Sequence, residues 1–499
     1  MTEMDVPDVE CKPVAEMDEY APEDSGTLRL DSQGYPLRPQ PSDDPLDPLN
    51  WSFYMKLLVL LQVAFLGFLG PFSQGTINAA FVPLALDLGV SVTEASYTTT
   101  IAILFAGFTP LIYAPLSNVY GRRPVYLVST AIGTAANAAC AVCHSWSYLL
   151  VARAFVGIGT SVGMGVGASI VADLYFMHER GLYMGIYVVF VTNGAHLAAI
   201  IGGLVADDLG WRWCYWVPTI TLGATWIFNI FFLPETLYLR DPATGASYTR
   251  TKSWVQLLTL KQAPITGKLK FRDFTHCFIM LKYPSVLLCT LYYSIAFGAG
   301  TVLFAVTGAA TFEHSYGFNT IQVGLAIGLP TTIGSILGEF MAGSISDRAL
   351  RHANRRHGGS ADSESRLRAT LPGAFLLPVG VVIEGVCLQY KTHWAGPMMG
   401  IGIAAFGLQI VSTPIFAYLT DCYKPQSTEL STLLNFGRLL FSFTLGFYML
   451  PFASSTTFGI AWGVIAAINF ASFSGILLLM WKGPTWRRKL ASPDFDRGL

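Results

Sequence analysis

Long apolar runs separated by short polar intervals organise the whole chain. A helix that spans roughly 30 Å of hydrocarbon needs about 20 mostly apolar residues. Such runs occur at 57–78, 97–118, 124–144, 148–172, 182–206 and 212–234, and after a polar interval at 285–308, 321–345, 371–390, 395–419, 430–450 and 457–481. The pattern predicts an all-α membrane protein with twelve transmembrane helices in two six-helix bundles. The expected units are a tail at 1–55, a bundle at 56–234, a central loop at 235–284, a second bundle at 285–481 and a tail at 482–499.

Composition agrees with a lipid-solvated surface. Charged residues make up 13% of the chain against 52% hydrophobic, whereas a soluble domain carries about 25% charged residues. Charge placement adds orientation. Of the 31 basic residues, 23 fall in the four short loops, central segment and C-terminus of one side, and only Arg212 and Lys391 fall in the loops of the other. By the positive-inside rule both termini are expected in the cytoplasm. Residues 1–50 hold 13 acids against Lys12, Arg29 and Arg38 and show little apolar patterning, which reads as a disordered cytosolic tail. The first apolar run is too long for a signal-peptide core. Cys140, Cys143, Cys289 and Cys387 lie within spans, so free thiols are expected.

Several function classes drop out. A Gly-x-x-x-x-Gly-Lys-Ser/Thr phosphate loop is absent, so ATP is not the expected energy source. His178-Glu179 lacks the second histidine of a zinc helix, and the glycines of 157–167 sit inside an apolar span as packing residues. The expectation is a transporter with no catalytic role, no cofactor, no metal and no nucleic-acid partner.

A short repeat relates the two halves. Ala114-Pro115-Leu116-Ser117-Asn118-Val119-Tyr120-Gly121-Arg122 follows the second span, and Gly343-Ser344-Ile345-Ser346-Asp347-Arg348-Ala349-Leu350-Arg351 follows the eighth. A small residue, Ser, Asn or Asp, and a later Arg recur in register at equivalent places, as duplication would leave them. Both segments are read as basic-tipped loops.

These residues resemble the major facilitator superfamily. Leu116 to Pro124 is similar to its loop between helices two and three, usually Gly-x-Leu-Ala-Asp-Arg-x-Gly-Arg-Arg, with Asn118 in place of the aspartate that Asp347 keeps. The resemblance implies that Asn118, Gly121, Arg122, Arg123, Asp347, Arg348 and Arg351 belong to conformational gates; topological anchoring by positive charge is the simpler role. Leu149 to Gly159 resembles the family's fourth-helix motif, Leu-x-x-x-Arg-x-x-Gln-Gly-x-Gly, with Val156 for the glutamine. An unpaired charge in a glycine-rich apolar helix costs about 3 kcal/mol or more, so Arg153 should face the protein interior with a partner, with snorkelling to an interface as the alternative; the resemblance ties it to proton coupling. The fifth helix reads Gly194-Ala195-His196-Leu197-Ala198-Ala199-Ile200-Ile201-Gly202-Gly203, without the antiporters' central Gly-Pro. Asp47 to Trp51 resembles the entry sequence of many fungal facilitators, and Gly210 to Trp213 and Leu233 to Leu237 are similar to fungal members of the twelve-span drug/proton antiporter branch.

Polar residues inside spans supply the remaining candidates. Glu339 in the eighth span and Glu384 in the outer half of the ninth are carboxylates for a proton site. Glu339 could instead pair with the repeat's arginines, and Glu384 either snorkels towards lipid or lines the cavity. His196 could join a proton relay or pack as a satisfied histidine. Asn78, Asn193, Tyr292, Tyr293, Gln409 and Arg438 are candidates for the substrate cavity, with Arg438 either meeting an anion or reaching the cytoplasmic surface. The expected function is proton-coupled efflux of a small organic molecule, a drug or secondary metabolite, by a monomer in the plasma membrane, with the vacuolar membrane as the alternative site. Nutrient uptake and a non-transporting sensor are the alternatives; the short C-terminal tail disfavours the sensor.

Overall fold

The computed structural model describes residues 37–238, 269–356, 363–423 and 426–490, apart from residues 38 and 270. Two six-helix halves are seen among them. The first comprises α1 (Phe53–Leu88), α2 (Val92–Tyr120), α3 (Arg122–Ala141), α4 (Trp146–Leu174), α5 (Met177–Leu209) and α6 (Trp213–Phe232). The second comprises α7 (Pro284–Tyr316), α8 (Thr320–Arg356), α9 (Leu371–Gln389), α10 (Ala395–Cys422), α11 (Ser427–Ser455) and α12 (Phe458–Arg487). Ten of these are long and apolar enough to cross a membrane. The other two, α3 and α6, have 20 residues each, enough for about 30 Å, but Thr130, Thr134, Asn137, Pro218 and Asn229 dilute their apolar content.

Several predicted boundaries move for local reasons. α1 continues beyond 78 through a break at 76–80, where Thr76 Oγ1 donates to the Cys214 carbonyl at 2.8 Å and Thr99 Oγ1 donates to Asn78 Oδ1 at 2.7 Å. α2 opens on a capping box between Ser91 and Glu94. α8 runs on to Arg356, so the segment 343–351 is helical and not a loop. Its counterpart 114–122 is likewise mostly helix, ending in Gly121 at φ +100°, a conformation that side chains disfavour.

The N-terminal tail is folded at its end, against the expectation of disorder up to residue 55. Asp47 is fully buried and accepts hydrogen bonds from the backbone N–H groups of Ser42 and Leu49, both at 3.0 Å. Tyr238, just after α6, donates to Asp44 Oδ2 at 3.2 Å. Residues 1–36 of the tail, the C-terminal tail from 491 and residues 239–268 of the central segment, whose mixed stretch Ser253–Lys270 is a candidate for a short surface helix by its composition, lie outside the described residues. A short helix follows at Phe271–Ile279, against α2 and α11.

The halves meet unevenly. The face that carries the ends of the chain and the central segment is here called the basic face. At the opposite face α5 and α8 are in backbone contact: a Cβ on Gly203 would lie 2.8 Å from the Thr320 carbonyl oxygen, and Gly202, one residue earlier, is pressed against the Thr76 carbonyl of α1. Adjacent glycines thus serve two helices at once. α2 and α11 stay together along most of their length, with Tyr97 on Phe447 at 4.7 Å and Phe108 on Phe436 at 5.0 Å between ring centroids. Towards the basic face α5 and α8 diverge. A Cβ on Gly185 or on Gly343 would meet nothing within 4 Å.

Candidate functional site

Each half carries the same polar triad at the basic face. In the first, Arg122 Nη1 donates to Ser117 Oγ at 2.7 Å and to Asn118 Oδ1, while its Nε meets Asp173 Oδ2 at 3.2 Å. In the second, Arg366 Nη1 donates to Ser346 Oγ at 3.3 Å and its Nε meets Asp421 Oδ2 at 2.6 Å. Ser117 and Ser346 are the repeat serines. The arginine that takes the place of Arg122 is therefore Arg366, beyond the 357–362 segment, and not Arg351 within the repeat. Arg348 stands exposed, and the side chains of Asp347 and Arg351 lie outside the described residues.

Glu235 completes the first network. Its carboxylate accepts the backbone N–H groups of Arg122 at 2.9 Å and Arg123 at 3.1 Å, and those of Thr236 and Leu237. It thereby caps the otherwise open start of α3. Burial pushes its carboxyl above the usual range, and these N–H donors oppose that rise. Arg123 turns inward and donates from Nη2 to the Ile230 carbonyl at 2.6 Å. Asp173, Arg366 and Asp421 carry no role in the sequence reading, and Glu235 appears there only within the Leu233–Leu237 segment, with no partner assigned. The available signal was an acid just past the end of the fourth, sixth and tenth apolar runs.

Arg153 is fully buried among backbone acceptors. Its Nε donates to the Thr98 carbonyl at 2.9 Å, Nη1 to Ser73 at 3.0 Å and Nη2 to Gln74 at 2.6 Å, and its guanidinium lies 5.5 Å from the Tyr215 ring centre. Its partners are the Ser73 and Gln74 carbonyls just before the break in α1 and the Thr98 carbonyl of α2, and among the described residues no carboxylate pairs with it.

Glu339 occupies the widening between the halves. A cavity of about 110 Å³ is lined by Thr192 and Asn193 of α5, Ser335, Glu339 and Phe340 of α8 and Gln409 of α10. Glu339 accepts a hydrogen bond from Thr413 at 3.2 Å. Asn193 Oδ1 and Ser335 Oγ are buried and have no hydrogen-bond partner among the described residues. Among the described side chains, Glu339 forms no ion pair with the repeat's arginines; its partner is Thr413. Arg438, on α11, donates from Nη1 to the Tyr293 hydroxyl at 3.0 Å, with its guanidinium carbon 4.4 Å from the Phe297 ring centre. It stays within the protein and does not extend to the basic face.

Residues 63–440 match the family model described as Major Facilitator Superfamily. The chain belongs to that superfamily. It is a multi-pass membrane transporter and not an enzyme. Among curated facilitators it is 29% identical over 451 residues to the MFS-type transporter penM of Penicillium rubens, with 88% of this chain and 86% of that protein covered. It is 32% identical over 388 residues to the MFS transporter cpaT of Aspergillus oryzae, covering 76% and 77%. The efflux pump radE of Floropilus chiversii is 27% identical over 457 residues, covering 89% and 83%. In fold the chain is similar to a bacterial homolog of the human lysosomal transporter Spinster in an inward-facing and occupied conformation, with a TM-score of 0.59, 14% identity, and 89% of this chain and 100% of that chain covered.

The other polar candidates of this facilitator lie away from the cavity. Glu384 neither snorkels nor lines the opening. It is fully buried between α9 and α12, where Trp462 Nε1 donates to its Oε2 at 2.7 Å. Small residues at Gly380 and Gly400 draw α9 and α10 together around it and shut out both lipid and the central space. His196 is buried where α5 meets α8 at the opposite face, its Nδ1 without a partner. Asn78 holds the α1 break to Thr99. Tyr292 points into the second bundle, 5.4 Å from the Phe473 ring.

Proposed function

We propose that this chain exports a small organic molecule from the cytoplasm, driven by the proton gradient, through rocking of its two bundles. The orientation follows from the basic residues, which put the basic face and both termini in the cytoplasm. On that reading the cavity beside Glu339 opens inward. The position of Glu339 carries the proposal: it is a carboxylate at a widening between the halves, tied to one threonine, where a proton can enter from one side and leave from the other after rocking. The relative radE, an efflux pump, supports the outward direction. Glu384, sealed behind Trp462, is a poorer proton carrier. Arg153 is assigned a supporting role, holding the α1 break that rocking must carry intact. The chain acts as a monomer, in the plasma membrane.

The test is accumulation in a yeast strain lacking its own exporters, over a panel of labelled compounds. Expression should lower the steady level of the exported compound, and a protonophore should abolish the difference. Glu339→Gln should lose the gradient-driven component at unchanged surface level. Raised accumulation would establish uptake instead, and no change for any compound would favour a sensor.

A further inference from the structure

We infer that Arg438, with Tyr293 and Thr290, forms a subsite for the carboxylate of an organic acid. Three observations converge on it. The first is an unneutralised charge. Arg438 lies eleven residues into α11, roughly 16 Å along the helix, and among the described residues no carboxylate lies within 4.0 Å of it. A guanidinium at that depth is costly without a counter-charge. Arg153 meets the same problem differently, with all three of its nitrogens on backbone carbonyls. Among the described residues Arg438 makes one hydrogen bond, to the Tyr293 hydroxyl, and its buried Nε has no partner.

The second is the excess of donors. The Tyr293 oxygen accepts from Arg438, which leaves its own proton to give. Thr290 stands one turn earlier on the same face of α7, against α11 at Gly437, and its buried hydroxyl also lacks a partner. Guanidinium, phenol and threonine hydroxyls together offer protons and lack an anionic acceptor. A carboxylate fits the planar fork of arginine through two oxygens. The third is the apolar wall. The guanidinium lies against Phe297, and Tyr293 packs edge-on against Phe416 at 5.4 Å, surroundings that favour a carboxylate carried on a ring or hydrocarbon over a hydrated inorganic ion. The assignment deepens the exporter reading and rests on it only for the direction in which the acid leaves.

Binding to the full chain in lipid nanodiscs tests it, with indole-3-acetate, benzoate and phenylpropionate each compared with its amide. The acids should bind roughly tenfold or more tightly than their amides, and Arg438→Gln should abolish that preference, bringing acid and amide to the same affinity. Arg438→Lys should keep part of the preference, as a point charge without the fork. Equal binding of acids and amides, a preference that survives in Arg438→Gln, or failure of every acid to bind overturns the subsite. Chloride or inorganic phosphate competing as well as benzoate overturns the organic-acid assignment. Export of neutral compounds alongside any of these results would leave the exporter reading standing. Acid binding without export of any compound would retain the subsite and remove that reading.

Discussion

Arg366 donates from Nε to Asp421 Oδ2 at 2.6 Å, tying the turn before α9 to the end of α10. Arg122 and Asp173 do the same for α3 and α4 in the first half. Both pairs lie within a bundle and not between bundles, so they keep each half rigid at the face where the halves separate. Rocking needs such rigidity, because two bodies that deform cannot transmit a displacement across the bilayer.

Asp421→Asn should therefore loosen the second half. The pair is partly exposed, so the loss of stability is about 1 kcal/mol or less, read as a small fall in melting temperature in detergent. Transport should fall by more than that loss implies, and the exchanged pair Arg366→Asp with Asp421→Arg should recover part of it. Unchanged transport in Asp421→Asn would remove the pair from the mechanism.

Glu235 has a different role and a different signature. Its carboxylate satisfies four backbone N–H groups around the start of α3. Glu235→Ala leaves them unpaired in a buried place and should cost about 1–2 kcal/mol. Glu235→Gln keeps one acceptor oxygen and should lose about half as much. Thermal unfolding of the purified variants, followed by fluorescence-detected size exclusion, gives the comparison.

Arg153→Ala should fail at folding. It strands three buried carbonyls and empties a space beside Tyr215, at a cost of about 3 kcal/mol or more. The folded yield should drop sharply, and Arg153→Lys should restore only part of it because an ammonium cannot reach all three acceptors. A normal yield of Arg153→Ala with lost proton coupling would instead make Arg153 a coupling residue.

Glu384 and Glu339 should separate in one experiment. Glu384→Gln keeps an acceptor for Trp462 and should retain gradient-driven transport within about twofold. Glu339→Gln should lose it. The reverse result would move the proton site into the seam between α9 and α12.

Gly203→Val should hold the opposite face apart. The added side chain meets Thr320 and Gly324 of α8, and overpacking of this kind costs about 1–3 kcal/mol. A cysteine introduced near the outer end of α8 should then react faster with a membrane-impermeant maleimide than in the unsubstituted chain.

By itself the sequence determined the fold class, because helix length and apolar content answer directly to bilayer thickness, and each span carries that signal independently of the others. It also marked Arg153 for the interior, since a charge within a glycine-rich apolar helix has to find polar partners. The tertiary structure alone decided which partners those are. Arg153 found carbonyls at a helix break that the hydropathy pattern passes over, and Arg122 found its counterpart in Arg366 and not in the matching repeat. Glu339 and Glu384 look alike as single acids in apolar runs. Only the packing of α5 against α8, and of α9 against α10 and α12, leaves the first beside an opening and seals the second behind Trp462. Which face of a helix meets a neighbour depends on contacts between residues far apart in the chain, and local composition does not encode that choice.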